Sequence, residues 1–147
     1  MLEPVRICEV LENTTAFGGK AALVVGRYSF RERGVFLGEA CGQNANAQPA
    51  AFELVYDSKT GPATPAQLAV DSTALRRKLA AVKQTTSLGK FKFGSQEYDR
   101  WALAYGRIEI GAAVTPGPGS RSREGEFRVP GRLVCRGSGL VVFLAEP

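Results

Sequence analysis

Two segments of this chain have the pattern of long β-strands, and each contains an interior glycine. Residues 20–30 are rich in β-branched and aromatic residues and contain no proline. Residues 98–110 have the pattern of one long strand, in which neighbouring side chains would point to opposite faces. Gly26 and Gly106 interrupt these strands, and an interior glycine usually marks a bulge or a sharp bend. Long strands that bend in this way are typical of small barrels.

The other segments fit a small, mainly β domain. We predict a short helix or turn over residues 5–13 that is broken at 13–15, and strands over 35–39 and 52–56 with a polar loop over 42–50 between them. A final hairpin is predicted from 127–135 and 140–145. We expect a single domain over residues 1–147, with a mobile loop at 115–125 that is rich in glycine, proline, serine and arginine.

One amphipathic helix is predicted between the third strand and the long strand. Leu75, Leu79 and Val82 form its apolar stripe, and Asp71 or Ser72 is suited to the N-cap. A helix inserted after the third strand matches an OB-type barrel of five to six strands. The alternative is an α+β sheet with a bulge at each glycine. The position of the helix and the two interior glycines favour the barrel.

Composition argues against the common catalytic and metal chemistries. The chain contains no histidine, so neither a Ser–His nor a Cys–His pair can form. Its three cysteines include no CxxC pair, which argues against a structural zinc site. We therefore expect no enzyme, no cofactor and no metal.

The net charge of +5 bears on partners rather than on fold. The basic excess lies after residue 64, and it fits an anionic polymer or nucleic acid as well as a soluble domain with neither partner. No apolar run approaches the roughly 18–20 residues that span a bilayer, so we expect no membrane span. The N-terminus lacks a signal-peptide pattern, which leaves a cytoplasmic protein or the mature part of an exported one.

The first 42 residues contain a recognisable motif. Residues 7–13 read Ile-Cys-Glu-Val-Leu-Glu-Asn, and they are followed by Gly-Lys at 19–20 and by Leu-Val-Val-Gly-Arg-Tyr at 23–28. This opening resembles bacterial OB-fold proteins similar to tRNA-anticodon-binding-like domains, in which a short helix precedes a GK-x-V-x-V-x-G strand. The family includes exported members of unknown function. The resemblance implies the fold but no function, and the absence of histidine departs from the exported relatives.

In those exported members, one cysteine recurs in the short helix and another after the second strand. Cys8 and Cys41 match these two positions. If both lie at one end of the barrel, a disulfide would close a loop of about 33 residues and contribute roughly 3–4 kcal/mol. The alternative is two buried free thiols. A bridge requires an oxidising compartment and so favours a periplasmic or extracellular location. Cys135 is expected to be buried and unpaired.

Aromatic and basic residues suggest a second candidate site. OB barrels that bind single strands stack bases on aromatic side chains and line the backbone path with Lys or Arg. The candidates are Arg27, Tyr28, Phe30, Arg31 and Arg33 in the first hairpin, and Trp101, Tyr105 and Arg107 on the long strand. The alternative places Trp101 and Tyr105 in the core and leaves the arginines in solvent.

Two functions from different classes therefore remain. The favoured one is a non-enzymatic structural or interaction domain of unknown ligand, exported, with a protein and an anionic polymer as the candidate partners. The alternative is a cytoplasmic OB-fold protein that binds single-stranded nucleic acid.

Overall fold

The computed structural model describes residues 2–31, 34–41, 48–63, 69–86, 98–111, 128–137 and 141–144. Its elements in chain order are β1 (Val5–Arg6), α1 (Ile7–Glu12), α2 (Thr14–Phe17), β2 (Ala21–Arg31), β3 (Gly34–Cys41), β4 (Gln48–Tyr56), α3 (Ser72–Thr85), β5 (Tyr98–Ile110), β6 (Arg128–Cys135) and β7 (Val141–Phe143). Arg33, the predicted loop at 115–125 and the side chain of Arg31 lie outside the described part.

Five of these strands close into a barrel. The neighbours follow the order β2-β3-β4-β6-β5, and β5 pairs back with β2. The pairing of β4 with β6 is parallel, and the other four pairings around the barrel are antiparallel. With α3 inserted between β4 and β5, this is the arrangement of an OB-fold-like barrel. The predicted mainly β barrel with one inserted helix is confirmed.

Alternate side chains of the strands fill the barrel interior, as the pattern predicts. The fully buried members of this interior cluster are Ile7, Val10, Val24, Leu37, Ala50, Phe52, Ala102, Ala104, Ile108, Leu133 and Cys135. The opposite faces of β2 and β5 pack beneath α3, in a second cluster that contains Leu23, Val25, Val82, Trp101, Leu103 and Tyr105. The N-cap of α3 is Asp71, whose side chain accepts a hydrogen bond from the backbone N–H of Ala74 at 3.1 Å.

One end of the barrel is covered by α1, and the other end is formed by the ends of strands. At the helix-capped end, where β3 ends and β4 begins, α1 places Ile7 and Val10 in the interior cluster with no exposed surface. At the other end, β2 and β4 finish and β5 begins. We call this second end the aromatic end, because of the side chains described in the next subsection.

Three local predictions were wrong. The segments 127–135 and 140–145 were expected to form a hairpin, but β6 and β7 each pair antiparallel with β5 and not with each other. Residues 42–50 were expected to form a polar loop, but β4 begins at Gln48, where it pairs with Cys41 of β3. Pairing with a neighbouring strand overrides weak local propensity here. The break predicted after Asn13 is instead the start of α2, because the Asn13 side chain accepts a hydrogen bond from the N–H of Ala16 at 3.3 Å.

The two interior glycines lie where each strand changes its neighbour. β2 pairs with β1 before Gly26 and with β3 after it. β5 pairs with β7 before Gly106 and with β6 after it. A Cβ at Gly26 would lie 2.8 Å from the carbonyl oxygen of Gly38. The backbones therefore approach closely where the strand changes its neighbour, and glycine permits this approach.

Replacing Gly106 by alanine is expected to lower the free energy of unfolding by about 1–3 kcal/mol, because the new methyl group overpacks the barrel. It would lie 2.8 Å from the carbonyl oxygen of Val134 and 2.9 Å from Cγ of Leu133. Gly111→Ala is the matched control, since nothing lies within 4 Å of its Cβ position. Urea denaturation of both variants tests this, and equal stabilities would contradict the close packing.

Candidate binding site

Exposed aromatic side chains gather at the aromatic end of the barrel. Phe30 is 50% exposed, while Tyr56 and Phe143 are each 42% exposed. They lie near the end of β2, at the end of β4 and at the end of β7. Among the described residues, Val142 at 49% is the one other large apolar side chain that is comparably exposed. An exposed cluster of this kind marks an interaction site more often than single exposed residues do.

Tyr28 and Arg100 connect the cluster to the barrel wall. β2 and β7 pair with opposite edges of β5, so a contact between them must cross that strand. The rings of Tyr28 and Phe143 make this contact edge to face, with centroids 4.9 Å apart. The Arg100 guanidinium carbon lies 4.8 Å from the centroid of the Phe143 ring, within cation–π range.

Arg100 is the one charged residue among the described inward-facing positions at this end. The others are Tyr28, Phe30, Val35, Tyr56, Val141 and Phe143. Arg100 itself is exposed. At these described inward positions, the aromatic end therefore combines apolar rings with the guanidinium of Arg100.

Tyr56 and Cys135 lie side by side at this end, and both remain protonated at neutral pH. Burial, with smaller contributions from Tyr28 and Cys135, raises the pKa of Tyr56 to about 12, so its phenol is a hydrogen-bond donor. Burial raises the pKa of Cys135 to about 11, and its thiol is free and fully buried, as predicted. A protonated buried thiol is a poor nucleophile.

In an alkaline absorbance titration, Tyr56 is expected to ionise near pH 12 and Tyr56→Phe to lack this late step. Because folding raises the pKa, the unfolded chain loses the phenol proton first, near pH 10. The free energy of unfolding of the wild type should therefore fall as the pH rises from 10 towards about 12. If the variant and the wild type show the same alkaline loss of stability, this burial of Tyr56 is contradicted.

The structure brings together only part of the set predicted for nucleic acid. Tyr28 and Phe30 lie at the aromatic end, but Trp101 and Tyr105 are buried beneath α3, with 4% and 7% of their surface exposed. The Lys83 ammonium lies 5.7 Å from the centroid of the Trp101 ring. No stacking platform therefore joins the first hairpin to the long strand through these two rings.

The two predicted arginines whose side chains are described, Arg27 and Arg107, lie elsewhere. Arg107 donates to the Glu109 carboxylate, from Nη2 at 2.8 Å, and to the carbonyl of Thr60, so it fastens the loop after β4. Arg107 and Arg132 together hold the pKa of Glu109 below its usual value. Arg27 is on the outer face of β2 and pairs in register with Trp101.

Sequence reasoning missed Tyr56, Arg100 and Phe143. Each lies on a predicted strand, and the alternation of β5 places Arg100 on the inward face with Ala102. Their proximity depends on the pairing of β5 with both β2 and β7, which alternation along one strand does not reveal.

A disulfide and a buried carboxylate form the helix-capped end. Cys8 and Cys41 lie at bonding distance, with Sγ–Sγ 2.07 Å and Cα–Cα 5.6 Å, as the resemblance implies. Glu39 lies on β3, two residues before Cys41, and its side chain has no exposed surface. It accepts from Arg6 Nε at 2.9 Å and, through its other oxygen, from the backbone N–H of Cys8 at 3.2 Å.

Further ion pairs hold the N-terminal segment against α3. The ammonium of Lys78, which is 8% exposed, lies 3.0 Å from a carboxylate oxygen of Glu3 and 3.0 Å from one of Glu9. The Glu9 carboxylate also accepts the N–H of Arg6 at 2.9 Å, which caps α1. The segment is thus tied to β3 and to α3 at the same time.

Cys8, Glu39 and Cys41 also form a group whose side chains are of the types that ligate metal ions. Their ligand atoms lie within 4.8 Å of one another. In this arrangement the two sulfurs are bonded to each other, and the carboxylate is satisfied by Arg6 and by the N–H of Cys8. The cluster therefore stabilises α1 rather than fitting a metal.

No family model, curated protein or solved structure matches this chain. The class of protein thus rests on its own geometry, an OB-fold-like barrel with one end covered by a disulfide-linked helix and the other end aromatic. Among the described helices, none is both long and apolar enough to cross a membrane.

Proposed function

We propose that this protein is a non-enzymatic interaction domain that works in an oxidising compartment and binds its partner at the aromatic end of the barrel. The observation that carries the proposal is that Phe30, Tyr56 and Phe143, each 42–50% exposed, lie at one end of the barrel, where Arg100 also lies against the Phe143 ring. Aromatic residues and arginine are the side chains most enriched in protein interfaces and in their energetic centres.

The Cys8–Cys41 pair supports the location. Disulfides persist in the periplasm and outside the cell, whereas cytoplasmic reductants keep most thiols reduced. The bridge fastens the segment that covers one end of the barrel, so it serves the fold and leaves the aromatic end available for a partner. An exported location follows as part of the proposal.

Single-stranded nucleic acid is the less favoured partner. OB folds usually bind it on the outer face of the second and third barrel strands, which here are β3 and β4. The described outward positions of those strands include Phe36, Gly38, Ala51 and Val55, and their one charged residue is the acidic Glu53. Phosphates require cations along this path, and the described strands place none there.

The neutral fluorescent dye N-phenylnaphthylamine tests the proposed site, because it is apolar and aromatic and carries no charge. We expect the wild type to bind it and Phe30→Ser/Phe143→Ser to bind it at least about tenfold more weakly, since two exposed rings are lost. Val142→Ser is the matched control. It lies on the same strand with similar exposure, but on the opposite face from Phe143.

Circular dichroism and thermal melting establish that the double variant is folded. Unchanged dye binding by the folded double variant, or an equal loss in Val142→Ser, would contradict the site. Titration with oligothymidylate at low salt, where phosphate contacts are strongest, gives the competing outcome. Oligothymidylate binding that the double variant loses, without dye binding by the wild type, would favour the nucleic-acid function.

A further inference from the structure

We propose that Cys8, Glu39 and Cys41 become a zinc site when the Cys8–Cys41 bridge is reduced, with two thiolates and one carboxylate as the protein ligands. In the bridged form this site does not exist, because the two sulfurs are bonded to each other. The site lies at the helix-capped end of the barrel. It therefore adds to the proposed function of the aromatic end and does not depend on it.

The three ligand atoms are already close together. One sulfur from each cysteine and one carboxylate oxygen of Glu39 all lie within 4.8 Å of one another. The Cα atoms of Cys8 and Cys41 are 5.6 Å apart. Once the bridge is open, rotation of the two side chains is enough to place both sulfurs at about 2.3 Å from one shared Zn²⁺ ion.

Contacts other than the bridge hold this cluster in place. The Glu39 carboxylate accepts from the backbone N–H of Cys8 at 3.2 Å and from Arg6 Nε at 2.9 Å, so α1 remains attached to β3. The next residue, Ala40, donates its N–H to Thr86 Oγ at 2.9 Å, which fastens the end of β3 to the end of α3. Breaking the S–S bond therefore frees two sulfurs without separating the ligands.

The charges of the cluster match those of a divalent cation. Two thiolates and the Glu39 carboxylate carry three negative charges, and buried charges are costly unless they are compensated. The Arg6 guanidinium offsets one of them, and Zn²⁺ offsets the other two. Thiolate ligands favour Zn²⁺ over Mg²⁺ and Ca²⁺, which prefer oxygen ligands alone. Cys41 is half-buried, so the ion has access from solvent.

Opening of the site is a two-electron reduction by a dithiol. The thiolate of the dithiol attacks the bridge, the Cys8–Cys41 S–S bond breaks, and the dithiol leaves as its own disulfide. Both cysteines are then thiols, and zinc binding releases their two protons to solvent. The same residues are thus bridged under oxidising conditions and ligate zinc under reducing ones.

Titration with Co²⁺ tests the site, because thiolate complexes of Co²⁺ absorb in the near ultraviolet and Zn²⁺ displaces the ion. We expect wild type reduced with a phosphine to bind one ion per chain. Oxidised wild type and Cys8→Ser/Cys41→Ser should bind at least about 100-fold more weakly, and reduced Glu39→Gln at least about tenfold more weakly. Cys135→Ser and Glu12→Gln, which change a thiol and a carboxylate outside the cluster, are the matched controls and should bind as the wild type does.

Urea denaturation shows whether the ion binds the folded chain. Zn²⁺ should raise the midpoint of the reduced wild type and leave that of Cys8→Ser/Cys41→Ser unchanged, because an ion bound only to the folded state stabilises it. Binding without this gain would place the ion on thiols of the unfolded chain and overturn the site. Equal affinities of the reduced wild type and the double variant, or equal affinities of the reduced and oxidised wild type, would also overturn it. N-phenylnaphthylamine binding reports on the aromatic end separately and should be the same with and without Zn²⁺.

Discussion

Replacing Glu39 by alanine is expected to lower the free energy of unfolding by about 3–5 kcal/mol. The carboxylate has no exposed surface and accepts from Arg6 and from the backbone N–H of Cys8. Its removal leaves the guanidinium of Arg6 without this buried carboxylate, and it removes the acceptor for an N–H in the first turn of α1. Chemical denaturation monitored by circular dichroism measures the change.

Two further variants show whether loss of the Arg6–Glu39 ion pair causes the expected loss of stability. Glu12→Ala removes an exposed carboxylate from the same helix and should change stability by less than about 0.5 kcal/mol. Arg6→Met/Glu39→Leu removes both charges and should be less destabilised than Glu39→Ala, because no unpaired charge is left. If Glu39→Ala and Glu12→Ala are equally stable, the buried ion pair is contradicted.

Removing the disulfide is expected to have the next largest effect. Cys8→Ser/Cys41→Ser opens a loop with a sequence separation of 33, and this should lower the free energy of unfolding by about 3–4 kcal/mol. The reason is that the unfolded chain gains conformational freedom when the link is lost. Denaturation of the double variant and of the wild type in the absence of reductant measures the difference.

The same proteins supply the control for this change. A dithiol reductant should lower the stability of the wild type towards that of the double variant and leave the double variant unaffected. Thiol titration of the denatured, unreduced wild type should find one free thiol, that of Cys135. Three free thiols, or equal stabilities without reductant, would contradict the bridge.

The architecture could be predicted from the sequence because the long strands of the barrel have clear strand patterns, with side chains that point alternately to the two faces. The predicted long strand coincides with β5, and the two predicted faces of β5 belong to the interior cluster and to the cluster beneath α3. The start of β4 at Gln48 was missed, because its polar and proline-containing beginning becomes a strand only by pairing with β3. Local propensity carries no information about such a partner.

The two ends of the barrel could be predicted only in part. Cys8 and Cys41 were identified by resemblance, but Glu39 was not singled out, although alternation places it on the inward face with Leu37. An inward-facing glutamate in a strand is a signal for a buried ion pair, and its partner Arg6 is 33 residues away. The aromatic end was missed for a related reason, since Tyr28 and Phe143 meet only through β5.

Amide chemical-shift mapping with N-phenylnaphthylamine tests the central claim most directly, because it locates the bound dye on the folded wild type. The largest shifts are predicted for Tyr28, Phe30, Tyr56, Arg100 and Phe143, which form the aromatic end. Shifts confined to the outer face of β3 and β4, or to the neighbourhood of the disulfide, would contradict the assignment of this end as the binding surface.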